Sequence, residues 1–317
     1  MCIVAYQLHK TRDWDAQCVV ASLLMQSRPS RPFRTGITRR TLLCAATASI
    51  LPRIHALSTH PTGERTALAD TLRNTTAIAT ILHQRSGKIL AIRGDVERAN
   101  TPGSILKPLI LFKALQQNLV APTTTVFCRR DVHIGNRSYP CTHPQSNISF
   151  IAQEALAYSC NTWFASLALR FTPSRLAEVF RFFHLYSAIT PESPERNQLL
   201  TLGLAGVTTS PSEIATAYRI LGNQLDQSFA KPVADGLRGS VSFGMAHNAD
   251  TFGIDISGKT GTADNPPRQP WSHGWFAGFA TIRSTPLVVS LYLPQGNGAD
   301  AAQLARNFFL ACNKTTA

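Results

Sequence analysis

Strand-like sequence occupies both ends of this chain, and helix-like sequence fills the stretch between them. Residues 75–94, TTAIATILHQRSGKILAIRG, read as two apolar strands around a turn at Arg85-Ser86-Gly87-Lys88. After Gly244 the period changes, and FGIDISGKTGTA, HGWFAGFATI and PLVVSLYLP read as three strands with short connections. Between these blocks, Gly103–Gln117 has helical spacing at Leu106, Leu109, Ile110 and Leu115. Residues 149–225 are mostly helical, punctuated by Pro173, Pro191 and Pro194; in SPSEIATAYRILGN a serine N-cap and a Gly-Asn stop bound one helix. The amphipathic ADAAQLARNFFLACNK closes the chain as a helix. Strand material at both ends with helices between points to an α+β fold. The expectation is an antiparallel sheet flanked by helices, with the helical middle as a subdomain.

At 317 residues, 44% hydrophobic and 15% charged, the chain is long enough to bury a sizeable core. No apolar run of about 18 residues follows residue 60, so the body reads as soluble. The net charge of +13 raises a nucleic-acid partner, but its distribution does not support one. Residues 1–56 hold eight Lys/Arg against two Asp/Glu; the remainder holds 23 against 16, without a basic run or aromatic-interleaved patch. That excess suits a generic attraction to anionic envelope polymers, and no nucleic acid is expected.

The leader has the three parts of a secretory signal. A basic segment follows Met25, Leu42–Leu51 is apolar, and Ile54 and Ala56 sit at the minus-three and minus-one positions of a cleavage site. Arg39-Arg40 in TRRTLL resembles a twin-arginine export signal. A plain basic tail is the rival reading. The expected division is 1–24 untranslated or disordered, 25–56 a cleaved export signal and 57–317 the functional body, placed in the periplasm or cell envelope.

Four cysteines follow the leader: Cys128, Cys141, Cys160 and Cys312. The first two flank RRDVHIGNRSYP, whose Gly135-Asn136 reads as a hairpin turn. A disulfide closing this loop contributes about 3 kcal/mol and suits an exported protein. Its rival is a Cys/His metal site using the nearby His133 and His143, although the spacing is irregular for zinc. Cys160 and Cys312 read as buried thiols.

The chain has 24 arginines and only 7 lysines, so a lysine in TPGSILKPLILFKAL asks for a reason. Serine needs a base within hydrogen-bond reach to act as a nucleophile. On a helix starting near Ser104, Lys107 shares its face. Lysine serves as a base once burial lowers its pKa, whereas arginine stays protonated. Alone, Ser-x-x-Lys is weak: chance supplies about one half per chain of this composition, and Ser228-Phe-Ala-Lys231 is a second copy. Company separates the two. Ser159-Cys160-Asn161 and Lys259-Thr260-Gly261 follow Ser104 in order, and the Lys-Thr-Gly triplet is expected only about 0.07 times by chance.

The ordered set Ser-x-x-Lys, Ser-x-Asn, Lys-Thr-Gly resembles the transpeptidase domain of penicillin-binding proteins. The likeness runs from residue 75 to 312 through five segments: the opening strand pair, ANTPGSILKPLI, ALAYSCNTWFASLAL, GLAGVTTSPSEIATAYRILGN and SGKTGTADNPPRQPWSHGWFAGFA. It implies that Ser104 is acylated, Lys107 is its base and Ser159 relays the proton to the leaving amine. Asn161 would hold substrate backbone and orient Lys107. Lys259, Thr260, Gly261 and Thr262 would form the carboxylate-binding strand, and the N–H groups of Ser104 and Thr262 the oxyanion hole. Trp271, His273 and Trp275 read as packing. The resemblance calls for no cofactor and no metal. Its implied ligands are D-Ala-D-Ala stem peptides of peptidoglycan and β-lactams, with a glycan-polymerising or cell-wall protein as partner. A serine β-lactamase of the same fold and a β-lactam sensor are the alternatives. Neither the Glu-x-x-x-Asn of class A lactamases nor the valine that class D enzymes carry at position 161 is present.

Overall fold

The computed structural model describes residues 63–264 and 271–314. The leader, with its expected cleavage site and twin arginine, lies outside the described residues. Helix α1 (Gly63–Leu72) precedes the hairpin β1 (Ile78–His83) and β2 (Ile89–Arg93). A 3-10 turn, Gly103–Leu106, runs into α2 (Lys107–Gln116). A small lobe follows, built from β3 (Val126–Cys128), β4 (His133–Ile134), β5 (Arg137–Ser138) and β6 (Ile148–Phe150). The helical middle comprises α3 (Ala152–Ala157), α4 (Asn161–Ala168), α5 (Pro173–Phe182), α6 (Pro194–Thr201), α7 (Pro211–Gly222) and α8 (Lys231–Ser242). Strands β7 (Ile256–Ala263), β8 (His273–Ile282) and β9 (Thr285–Leu293) and helix α9 (Gly298–Lys314) complete the chain.

The five main strands form one sheet in the order β2-β1-β9-β8-β7, with every pairing antiparallel. The last strand in sequence therefore lies at the centre, between the first hairpin and the Lys-Thr-Gly strand. Period-two alternation divides the sheet between two cores. On β8, Trp275, Ala277 and Phe279 join the core with α2, α4 and α7, while Phe276 and Ala280 join the core with α1 and α9. On β9 the same split sends Val288 and Tyr292 one way and Leu287, Val289 and Leu291 the other. Phe276 meets Phe309 of α9 edge-on, ring centroids 6.2 Å apart.

Local chemistry sets the helix starts. Pro173, Pro194 and Pro211 each open a helix, where the missing N–H costs nothing. Ser210 and Glu213 form a capping box at α7: the Ser210 hydroxyl accepts from Glu213 N–H, and Ser210 N–H donates to the Glu213 carboxylate. Four elements carry no sequence expectation: α1, α8, β3 and β6. The Ser-x-Asn segment is the junction of α3 and α4. Among the described residues no helix is long and apolar enough to cross a membrane.

Candidate active site

Ser104 sits on the 3-10 turn and Lys107 opens α2, so the serine and lysine stand one turn apart, where positions i and i+3 eclipse. The turn is held from several sides. His273 Nε2 lies 2.7 Å and Trp275 Nε1 3.0 Å from the Thr101 carbonyl; Tyr218 donates its hydroxyl to the Ile105 carbonyl, and Tyr292 donates to Asn100 Oδ1. His273 and Trp275 are two apart on β8, so one strand face aims both at Thr101. Read from sequence as packing residues, they also anchor the turn that carries Ser104. Burial depresses the His273 pKa, which favours the neutral ring.

Two glycines let the turn and β7 meet. Gly103 adopts φ +60°, and a Cβ there would lie 2.7 Å from the Thr262 carbonyl oxygen. A Cβ on Gly261 would lie 2.6 Å from the Pro102 carbonyl oxygen. The glycine of Lys-Thr-Gly therefore permits backbone contact between strand and turn.

The Ser-x-Asn segment has a stricter geometry. At the end of α3, Ser159 N–H donates to the Leu156 carbonyl and Cys160 N–H to the Ala155 carbonyl, the paired bonds of a Schellman stop. Glycine normally holds the left-handed position of that motif, yet here it is Ser159, at φ +55°. The strained serine turns its own carbonyl toward Lys107. Lys107 Nζ donates to Ser159 O at 2.8 Å, to Asn161 Oδ1 at 2.7 Å and to Ser159 Oγ at 3.2 Å. Asn161 cannot be flipped in this network, because its Nδ2 donates to the carbonyls of Tyr139 and Pro140. Among the described residues Ser104 Oγ has no hydrogen bond to Lys107; the three donors of the ammonium are spent on Ser159 and Asn161.

Lys107 is fully buried, and desolvation lowers its pKa to about 8, against a smaller opposing pull from Cys160 and Cys141. At that value roughly one-tenth is neutral at pH 7, compared with about one part in three thousand for an ordinary lysine. Two of its three partners are acceptor-only oxygens, and the third is a hydroxyl. The second Ser-x-x-Lys copy makes an instructive contrast. Ser228–Ala230 is also a 3-10 turn, and Lys231 also opens a helix, α8. Lys231 is nevertheless exposed and ion-paired to Asp235 at 2.7 Å. Local structure is shared; burial is not.

A cleft of about 360 Å³ is lined by Ser104, Ser159, Asn161, Thr260 and Thr262, closed by Leu202, Met245 and the start of α9. No carboxylate lines it among the described residues. Thr262 Oγ1 accepts from the Gly298 N–H, which ties β7 to α9. Lys259 does not reach the lining. It is fully buried, donates to the Thr260 carbonyl at 2.9 Å, and is held well below the ordinary lysine pKa by desolvation and then by Lys107. Since β7 is an edge strand, its outer hydrogen-bonding edge is open beside Ser104.

The disulfide expectation is corrected. Cys128 and Cys141 are free thiols with sulfurs 3.6 Å apart, far beyond the bond length of about 2.05 Å. The hairpin turn at Gly135-Asn136 is present between β4 and β5, and His133 lies on its exposed side beside Asp131.

The Penicillin binding protein transpeptidase domain family matches residues 77–311, most of the chain. The chain belongs to that family. Membership places this transpeptidase domain in the penicillin-binding, acyl-transferring class in general terms. Among solved structures it is similar to the D,D-transpeptidase domain of a peptidoglycan glycosyltransferase from Eggerthella lenta. The TM-score is 0.68 at 20% identity, over 78% of this chain and 80% of that one. Pseudomonas aeruginosa PBP2, solved with WCK 5153, gives a TM-score of 0.68 at 18% identity, covering 78% and 73%. A chain of a peptidoglycan synthase complex that coordinates polymerization and crosslinking gives 0.66 at 20%, covering 80% and 60%. At these identities the likeness establishes the fold. No curated protein matches the chain.

Proposed function

We propose that this domain is a serine D,D-transpeptidase or D,D-carboxypeptidase, acting on the D-Ala-D-Ala end of peptidoglycan stem peptides. The observation that carries this reading is the convergence of Ser104, Ser159, Asn161, Thr260 and Thr262 on one cleft, backed by a buried, easily deprotonated lysine. In the first step neutral Lys107 takes the Ser104 hydroxyl proton as Oγ bonds to the penultimate D-Ala carbonyl carbon. The oxyanion is met by the N–H groups of Ser104 and Thr262, each worth about 3 kcal/mol when well placed. The C–N bond then breaks as Ser159 Oγ gives its proton to the departing D-Ala amine and takes in return the one Lys107 Nζ, 3.2 Å away, received from Ser104. An amine or water attacks the resulting ester by the reverse route. The stem peptide lies extended along the open edge of β7, pairing backbone to backbone. Its terminal carboxylate meets Thr260 and Thr262.

The lactamase alternative needs a base that activates water on the acyl-enzyme, and it is disfavoured because among the described residues no carboxylate lines the cleft. The domain works in the cell envelope, and its likeness to a chain of a synthase complex supports a glycan-polymerising partner. Intact-mass analysis after incubation with penicillin tests the assignment. One adduct is expected on the wild type and on Ser228→Ala, and none on Ser104→Ala. Labelling that survives Ser104→Ala sinks the reading.

A further inference from the structure

We infer that Cys128, Cys141, His143 and Cys160 form a structural site for a divalent zinc ion, separate from the catalytic cleft. They are the one such cluster among the described residues: all four are buried, and their ligand atoms lie within 4.8 Å of one another. Three of the six spacings match what a metal demands. A tetrahedral ion bonded to sulfur at about 2.3 Å and nitrogen at about 2.0 Å sets S···S at about 3.8 Å and S···N at about 3.5 Å. The observed values are 3.6 Å for Cys128–Cys141, 3.9 Å for Cys141–Cys160 and 3.5 Å for Cys128 Sγ to His143 Nε2. Three thiols and an imidazole are a zinc donor set; oxygen-seeking ions such as magnesium or calcium are excluded by the absence of any carboxylate in the cluster.

Backbone N–H groups point at two of the sulfurs. Arg130 N–H donates to Cys128 Sγ at 3.3 Å and Asn161 N–H to Cys141 Sγ at 3.2 Å, and Cys128 Sγ lies 3.4 Å from Thr162 Oγ1, to which it donates. Such N–H bonds hold ligand sulfurs in place and temper their charge. His143 is wholly buried against Phe150 and Tyr158, and its Nδ1 has no hydrogen-bond partner. A fully desolvated imidazole with so little return is costly unless Nε2 binds an ion.

The ligands come from three segments: the end of β3, the strip after β5, and the α3–α4 junction. Cys160 is the middle residue of Ser-x-Asn, and the Asn161 N–H reaches Cys141. The ion therefore ties the small lobe to the segment that holds Lys107. Zinc binding stands independently of the proposed chemistry.

The test uses the full chain purified under reducing conditions without chelator. Elemental analysis should find about one zinc per chain. Cobalt(II) substituted for zinc should give thiolate-to-cobalt charge-transfer absorption in the near ultraviolet and strong visible bands of a tetrahedral ion. Cys141→Ser and Cys160→Ser should weaken zinc at least about tenfold in competition with a chromophoric chelator, while Cys312→Ser should not. Should the serine variants fail to fold, zinc content and the cobalt spectrum of the wild type decide alone. Zinc-free protein that takes up no cobalt, full affinity in Cys160→Ser, or a disulfide between any two of the three cysteines overturns the site. Loss of penicillin labelling in Ser104→Ala with zinc retained would show the two proposals failing or standing separately.

Discussion

Replacing Lys107 with arginine separates a base from a mere charge. The ammonium is fully buried and its pKa is lowered to about 8, chiefly by desolvation. Between pH 6 and pH 8 the neutral share rises from about 1% to about 50%, so a rate that needs neutral lysine rises about fiftyfold and then levels off. A guanidinium offers no neutral form in that range. Lys107→Arg should therefore acylate with penicillin at least about a hundredfold more slowly, with no rise across the same pH window. Stopped-flow or quenched mass spectrometry of adduct formation reads both quantities. The same shift has a stability counterpart. The folded pKa lies below the ordinary 10.5, so the unfolded chain binds more protons between the two values, and stability gains as pH climbs from about 8 toward 10.5. The gain, measured against Lys107→Met, should approach about 3 kcal/mol. An arginine variant within tenfold of wild type, or a flat wild-type profile from pH 6 to 8, would refute the base assignment.

Ser159→Gly removes the strained side chain at φ +55°, so the fold should gain about 1 kcal/mol while stem-peptide turnover drops about a hundredfold; thermal unfolding and product release read the two effects. If that variant loses stability, the strain reading is wrong. Gly261→Ala should cost about 1–3 kcal/mol and slow acylation, because its Cβ would press on the Pro102 carbonyl at 2.6 Å; unchanged melting and labelling would remove the reason given for this glycine. The penicilloyl adduct should persist for minutes to hours while a D-Ala-D-Ala peptide or thioester turns over, and a D-amino acid should intercept the acyl-enzyme to give exchange product. Penicillin hydrolysis at several turnovers per second would instead make the protein a β-lactamase.

The strand pairs and most helix starts were legible because they depend on near neighbours. Alternation over 275–280, Gly87 at φ +73° in the first hairpin, and Ser210 with Glu213 each declare themselves within a few residues. Strand order was not legible, since nothing local tells β9 to insert between β1 and β8. The three motifs could be read as words, but not the conformation that makes Ser159 useful: a left-handed serine at a helix stop looks like any serine in a helical stretch. Cys160 was taken as a lone thiol for the same reason. It is 19 residues from Cys141 and 32 from Cys128, and only the packing of α3 against the small lobe brings them together. His133, nearer Cys128 in sequence than His143, turns outward on the hairpin instead. For Lys107 and Lys231 the local sequence gives the same turn, and burial alone distinguishes them.

The central position of β9 also governs when this protein exists as an enzyme. Ile78 pairs with Tyr292 and His83 with Leu287, across more than two hundred residues of chain. Closing such a loop costs entropy before any contact repays it, so the sheet is a late event in folding. During synthesis the helical middle and the small lobe leave the ribosome first, but the Lys-Thr-Gly strand has no finished sheet to join until β9 arrives. A chain stopped at residue 282 would carry every catalytic side chain named above and still lack the strand between its two halves. Ser104 is therefore fitted with its strand wall only after β9 has been made.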